Sequence, residues 1–486
     1  MSSGVRRFPQ RTDGEMCAFA ISHVNVSEDI ARSVRSLRGR GLKFAPVPAA
    51  AIALSLASPA KAQVVPMTTE EVAPPWNAQR IFDPTPLPLL TDRDSREEVA
   101  PEDTPVKTRQ QPGYEQVGIR DGSWMFLPSF MAGAFYDSNI FSSNIMKRSD
   151  IAAVIEPSLR AHTLWERHGI DLTFDAQETA YKANPGLDQT NASLKGNAWY
   201  DISRDLAVLT NFEVAHLNVG VGTLASPAGA VQPTPYNLFS GDVSVRKEFN
   251  RLTTSVGFRT DSYDYGSTRA QNGAVINQDS LDGQVYSLHG RADYAISEMF
   301  GWFAAAEGNE RNVRGNPGQP LDSQGYRALS GITLGLNNLI TGEIGAGYVQ
   351  QQFVDPTIGT IAGPSYRAMV TWRPTRLLDL HFKAEQLVTE TSQTSSTGVL
   401  GNALQLGADY ELRRNVILSL SGAYEMDRFF GMVRKDHVVS TEARIKYMLN
   451  RYGYISLYHQ YANRNSDVPV FNFDKHLVGI NVTAQF

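Results

Sequence analysis

The residues best suited to act on a solute are charged side chains set two apart in stretches that are otherwise apolar. Asp379, His381, Lys383 and Glu385 alternate with Leu378, Leu380, Phe382 and Ala384, and Glu442, Arg444 and Lys446 alternate with Thr441, Ala443, Ile445 and Tyr447. Successive side chains of an extended strand point to opposite faces, so this spacing gathers the charges on one face and the apolar groups on the other. The same reading puts Arg160, Asp171, Asp175, Lys195, Arg259, Arg291, Arg327, Glu343, Arg367, Asp409, Glu411 and Glu425 on a charged face. A face carrying both signs, if it lines water, orients polar solutes and biases the passage of ions. Pairing across strands is the ordinary structural role of the same residues.

Catalytic chemistry finds little support. The 9 histidines are scattered, and neither a Gly-x-Ser-x-Gly elbow, a His-Glu-x-x-His pair nor a phosphate-cradling glycine loop occurs. His289, His381 and His459 fall on predicted strands as single residues, the usual setting of a structural or solvated histidine. No catalytic residue, cofactor or metal site is therefore expected. Asp137 and Asn139 carry oxygens that suit a hard cation, but two ligands are too few, and a local Asx turn is the better reading. The single cysteine, Cys17, precedes the predicted mature chain and excludes disulfide or thiolate chemistry there. A formal net charge of -5 gives no basic face for nucleic acid.

The charged positions need strands to hold them, and the sequence supplies strands from Ser123 onward. Val478, Ile480, Val482, Ala484 and Phe486 share one face of the last strand, against Gly479, Asn481, Thr483 and Gln485 on the other. Leu404 to Leu412 and Val416 to Glu425 alternate in the same way. Short connections (Trp165–Gly169, Ser203–Asp205, Phe249–Arg251, Ser297–Met299, Asn337–Asn338, Pro374–Arg376, Arg413–Asn415, Asn450–Tyr452) alternate with longer ones such as Gly220–Tyr236, Arg314–Gln324 and Arg464–Asp474. Long strands without helical blocks, short turns at one end and long loops at the other predict a closed antiparallel transmembrane β-barrel. Counting from a first strand near Trp124 to Tyr136 gives about eighteen strands, with sixteen as the alternative if the weak strands near Ile151 and Gly325 are miscounted. Tyr200, Trp302, Trp372, Tyr424, Tyr447, Tyr452 and Phe486 are placed to meet lipid headgroups.

The N-terminus reads as an address. Arg35, Arg38, Arg40 and Lys43 precede the apolar run Ala49 to Ala57, and Ala60-Lys61-Ala62 fits a signal cleavage site. The predicted organisation is a signal peptide with an N-terminal extension over 1–62, a Pro-rich, extended and mostly disordered periplasmic linker over 63–122, and the barrel over 123–486.

Gly118-Ile119-Arg120-Asp121-Gly122-Ser123-Trp124, Pro128-Ser129-Phe130 and Tyr136-Asp137-Ser138-Asn139-Ile140-Phe141 together resemble the opening of the family called putative β-barrel porin type 2. Tyr136, Asp137, Asn139 and Phe141 carry the family signature, and the terminal Phe486 resembles the signal read by the machinery that inserts outer-membrane barrels. The resemblance implies an outer-membrane channel, in many relatives associated with exopolysaccharide production or export.

The function expected is a porin-like channel for small polar solutes in the outer membrane, with a link to exopolysaccharide export and with the N-terminal tail in the periplasm. The alternative is a non-conducting structural or scaffold barrel whose tail engages an envelope partner. Outer-membrane lipid, the insertion machinery and a polysaccharide or small polar solute are the expected partners; the sequence does not set the oligomeric state.

Overall fold

A computed structural model describes residues 105–486 except 108, 110, 225, 316–319, 337–338, 357–358 and 390–397. The predicted signal peptide, the first part of the predicted linker and the Asn337–Asn338 turn lie outside the described residues.

Eighteen long strands run in sequence: β1 (Trp124–Asp137), β2 (Asp150–Thr163), β3 (Gly169–Tyr181), β4 (Gln189–Ser203), β5 (Leu206–Val219), β6 (Thr234–Phe249), β7 (Leu252–Tyr265), β8 (Gly283–Ala295), β9 (Phe300–Val313), β10 (Ser323–Leu336), β11 (Ile340–Phe353), β12 (Thr360–Thr375), β13 (Leu378–Thr389), β14 (Gly398–Arg413), β15 (Val416–Phe430), β16 (Lys435–Asn450), β17 (Gly453–Ser466) and β18 (Phe473–Gln485). Each pairs antiparallel with the next, and β1 pairs with β18 from Ser129↔Gln485 to Asp137↔Leu477, which closes the barrel. Closure leaves no strand edge, as lipid requires. The count is eighteen, not sixteen, because the two weak segments are complete strands: β2 and β10 each span 14 residues.

The period-two pattern sets the faces. Val243, Phe258, Leu288, Ile332, Leu420, Leu457 and Ile480 stand exposed on the outer surface, and so large an apolar band is stable against lipid, not water. A 14-residue strand is ~46 Å long, and tilted by about 40° it still exceeds the ~25 Å apolar band of such barrels. Trp165, Tyr200, Trp302, Trp372, Tyr447, Tyr452 and Phe486 are exposed beside the short turns, forming an aromatic girdle there. Turn chemistry fixes that end: in the two-residue turn between β6 and β7, Asn250 adopts φ 53, a left-handed conformation that Asn tolerates.

Ile119–Asp121 forms a short strand folded back on Trp124–Phe126 through Gly122. Ahead of it, Val106, Lys107, Arg109, Gln111 and Tyr114 lie against the barrel wall, where they meet carboxylates and apolar groups.

Candidate functional site: the lumen wall and its two mouths

Every charged position assigned to the lumen from the sequence faces inward by register. Arg160 opposes Thr173, which opposes Lys195, which opposes Glu213; Arg259 opposes Ser287; Arg327 opposes Glu307; Arg367 opposes Glu385. Inward position does not mean equal surroundings.

From β6 to β14 the charges are packed and paired. Glu343 on β11 holds Arg291 of β8 at 3.0 Å and Arg367 of β12 at 3.4 Å, all of them buried. Arg291 also grips Asp293 at 2.7 Å and lies 4.4 Å over the Phe303 ring, which itself fills the space left by Gly345. Arg259 donates from Nε to both oxygens of Asp261 at 2.9 Å, and His289 lies 3.5 Å from Asp242. Arg327 faces Glu307 at 3.6 Å. On β13 and β14, Lys383 pairs with Glu385 at 2.8 Å, while Asp409 sits 3.0 Å from His381 and accepts the Ser419 hydroxyl at 2.5 Å. Such groups are costly to bury singly and are retained because each has an opposite charge or a donor beside it.

From β2 to β5 Asp150 and Asp201 are buried, but charges further along the strands stay wet. Arg160 and Lys195 are exposed and Asp171 is half-buried. Lys195 is 53% exposed, with only the 3.6 Å pair to Glu213. Asp175 accepts the Ser158 hydroxyl at 2.6 Å, and Gln177 donates to Glu156 at 3.0 Å. On β15 to β17 the environment is intermediate. Arg444 pairs with Glu442 at 2.8 Å and stacks on Tyr458 at 4.9 Å, Lys446 lies 4.1 Å over Tyr454, and Glu425 is half-buried.

The partners Asp242, Asp261, Asp293, Glu307 and Arg373 were not among the residues singled out from the sequence. A signal for two of them, Asp261 and Asp293, was present. Arg246 and Glu248, Arg259 and Asp261, Arg291 and Asp293, Lys383 and Glu385, Arg434 and Asp436, and Glu442 and Arg444 are pairs two apart, and each closes to between 2.5 and 2.9 Å. Residues two apart share a strand face ~7 Å from each other, within reach of an arginine or lysine bridging along its own strand.

Chain segments enter both mouths. At the loop end, the β5–β6 connection reaches β14 and β15, nine strands away in a ring of eighteen, where Leu224 packs with Val399 and Phe429. It passes over the β1–β2 loop at Gly222, whose φ of +77 and closeness to Phe141 and Ser142 exclude a side chain. The signature residues anchor that loop: Asp137 accepts the Asn139 amide at 2.9 Å and pairs with Lys475 at 2.7 Å, while Asn139 donates to the carbonyls of Ser143 and Asp474. Both are fully buried, so they hold a turn, as the Asx reading predicted. Tyr136 faces outward, and the Phe486 amide donates to the Pro128 carbonyl at 3.2 Å. At the short-turn end, Val106, Lys107, Arg109, Gln111 and Tyr114 line the wall of β13 to β18, seated on Asp379, Asp409 and Glu411.

The family model described as "Putative beta-barrel porin 2" matches residues 111–486, the whole barrel with the end of the segment preceding it. The chain belongs to that family. Its fold is that of outer-membrane barrels. The solved structures similar to it include OccK2 (OpdF) of Pseudomonas aeruginosa, at 11% identity and a TM-score of 0.41, covering 74% of this chain and 98% of that one. OpdK of Pseudomonas aeruginosa with vanillate follows at 9% identity and a TM-score of 0.38, covering 74% and 99%. The siderophore receptor PirA of Pseudomonas aeruginosa has 8% identity and a TM-score of 0.39, covering 74% and 80%. Among curated proteins none matches the chain. Membership of this porin family places the barrel in the outer membrane.

Proposed function

We propose that the protein is a passive outer-membrane channel for small polar solutes, with the β2 to β5 wall as the surface that solutes meet. The observation that carries this reading is the exposed state of Arg160 and Lys195 inside a closed ring whose outer face is apolar. Water on the inside and lipid on the outside is the arrangement of a barrel with an aqueous path, and eighteen strands are enough to enclose one. The short turns and the N-terminal segment then face the periplasm, and the longer loops face outward. The tie to exopolysaccharide export rests on the family resemblance, and the proposal stops at polar solutes.

The segments entering both mouths favour a second reading, a non-conducting scaffold barrel. Single-channel recording of the refolded barrel in a planar bilayer separates the two. Stable steps that grow with salt, with an ion preference that changes when Lys195 is reversed in charge, support the channel. Folded, inserted and silent protein overturns it in favour of the scaffold; polysaccharide added to one side in the same experiment reads any interaction with a sugar chain.

A further inference from the structure

We infer that Asp379, Asp409 and Glu411 form a binding site for a basic, turned peptide segment, that Val106, Lys107, Arg109 and Gln111 of this chain occupy it, and that the two act together as a releasable strap narrowing the short-turn mouth. The narrowing role rests on the channel reading; the binding does not.

The site follows from strand register. Asp379 on β13 and Asp409 on β14 stand directly opposite each other, and Glu411 lies two residues further along the same face. Like charges directly opposite across a ladder repel, and these are buried, so cations and donors are required. The wall supplies Arg373, 3.7 Å from Asp379, with His381 and the Ser419 hydroxyl on Asp409. The strap supplies the remainder. The Val106 amide donates to Asp379 Oδ2 at 2.6 Å, Lys107 Nζ lies 3.3 Å from Asp409 Oδ1, Arg109 Nη1 lies 3.3 Å from Glu411 Oε2, and Gln111 Nε2 donates to that oxygen at 2.8 Å. Arg109 also donates to the Arg376 carbonyl at 2.7 Å in the β12–β13 turn.

The strap enters as a turn, its Arg109 amide donating to the Pro105 carbonyl at 2.8 Å, and Lys107, Arg109 and Gln111 reach Asp409 and Glu411, which are two apart on β14. Val106 fills a small apolar recess made by Ile417 and Met448, with Tyr114 and Tyr454 beside it. Further on, Gln485 donates to the Tyr114 carbonyl and Gln116 to the Pro128 carbonyl, so the segment follows the wall from β13 round to β1. Charge and hydrogen bonds dominate the contact, one small apolar side chain seats it, and Lys107 is 52% exposed. Salt weakens the exposed Lys107 pair, and charge reversal at Arg109 breaks the more enclosed pair with Glu411.

The test reads the strap without relying on conduction. In a Cys17→Ser background, Val106→Cys of the refolded barrel is treated with a thiol-reactive maleimide. The buried position should react slowly, Arg109→Glu should raise the rate by about tenfold, equivalent to about 1.4 kcal/mol, and Arg109→Glu with Glu411→Arg should return it toward the slow rate. Slow reaction in all three, or fast reaction in all three, overturns the strap. Single-channel recording of Arg109→Glu without the cysteine should then give larger steps than wild type. A released strap with unchanged steps removes its narrowing role, and a released strap in a barrel that never conducts refutes the channel while leaving the peptide site standing.

Discussion

The two sides of the lumen are built from the same sequence pattern and come out differently. On β2 to β5 and on β6 to β14 alike, charges alternate with apolar residues, yet Lys195 is 53% exposed whereas Arg291 and Glu343 are each 5% exposed. Partner density separates them. Glu343 has two arginines within 3.4 Å on two other strands, and Lys195 has one glutamate at 3.6 Å. Inward charge thus ranges from a cross-braced wall that holds the barrel's shape to a wet wall that a solute can touch, with β15 to β17 between them.

The largest effect expected is on the braced wall. Glu343→Ala leaves two buried guanidinium groups without the carboxylate they share, and removing one partner of a buried pair costs about 3–5 kcal/mol. The urea midpoint of barrels folded in lipid vesicles should fall accordingly, and a midpoint equal to wild type would show that water already solvates that cluster. Next comes the loop that starts from the wet side. Leu224→Ala removes the apolar anchor against Val399 and Phe429, a loss of about 2 kcal/mol at the low end for a buried leucine. Amide exchange over 220–233 should quicken by more than tenfold while the strands stay protected; equal protection in both proteins would mean that another contact holds the loop.

Lys195→Glu is smaller in stability and larger in selectivity. An exposed pair contributes at most about 1 kcal/mol, so the unfolding midpoint should hardly move. Reversal potentials in a salt gradient should shift toward cation preference, because the wet wall loses a positive charge and gains a negative one. If Lys195→Glu instead lowers stability as much as Glu343→Ala, the division into two walls fails.

Much of this architecture was legible in the sequence. Period two located the strands, because a strand's two faces meet different solvents and the pattern records both. The contrast between the walls was not legible, since pairing depends on which strands are neighbours and on their register: Arg291 and Glu343 are brought together from β8 and β11 by the closed ring. The strap was hidden for another reason. Pro105, Pro112 and the polar residues between them resemble a linker in composition, and only the carboxylates on β13 and β14 make Lys107 and Arg109 part of the barrel. Asp137 and Asn139 were read correctly as turn residues because an Asx turn depends on near neighbours in the chain.

The smallest effect expected lies outside both walls, at the rim, and it sharpens the comparison by removing burial altogether. Asp205, in the turn between β4 and β5, accepts hydrogen bonds from the Lys247 ammonium and the Ser203 hydroxyl, which hold its pKa down at about 2. A carboxyl whose folded pKa lies below its unfolded value stabilises the fold at pH values above about 4, and that contribution disappears as pH falls through the folded pKa. The gap in urea midpoint between wild type and Asp205→Asn should therefore be small and constant from pH 7 to about 5, then narrow and close toward pH 2. A gap that persists at pH 2 would mean that the turn is held by the shape of the side chain and not by its charge. The same variant should leave reversal potentials unchanged, because a rim carboxylate that is tied to Lys247 adds little to the field along the lumen.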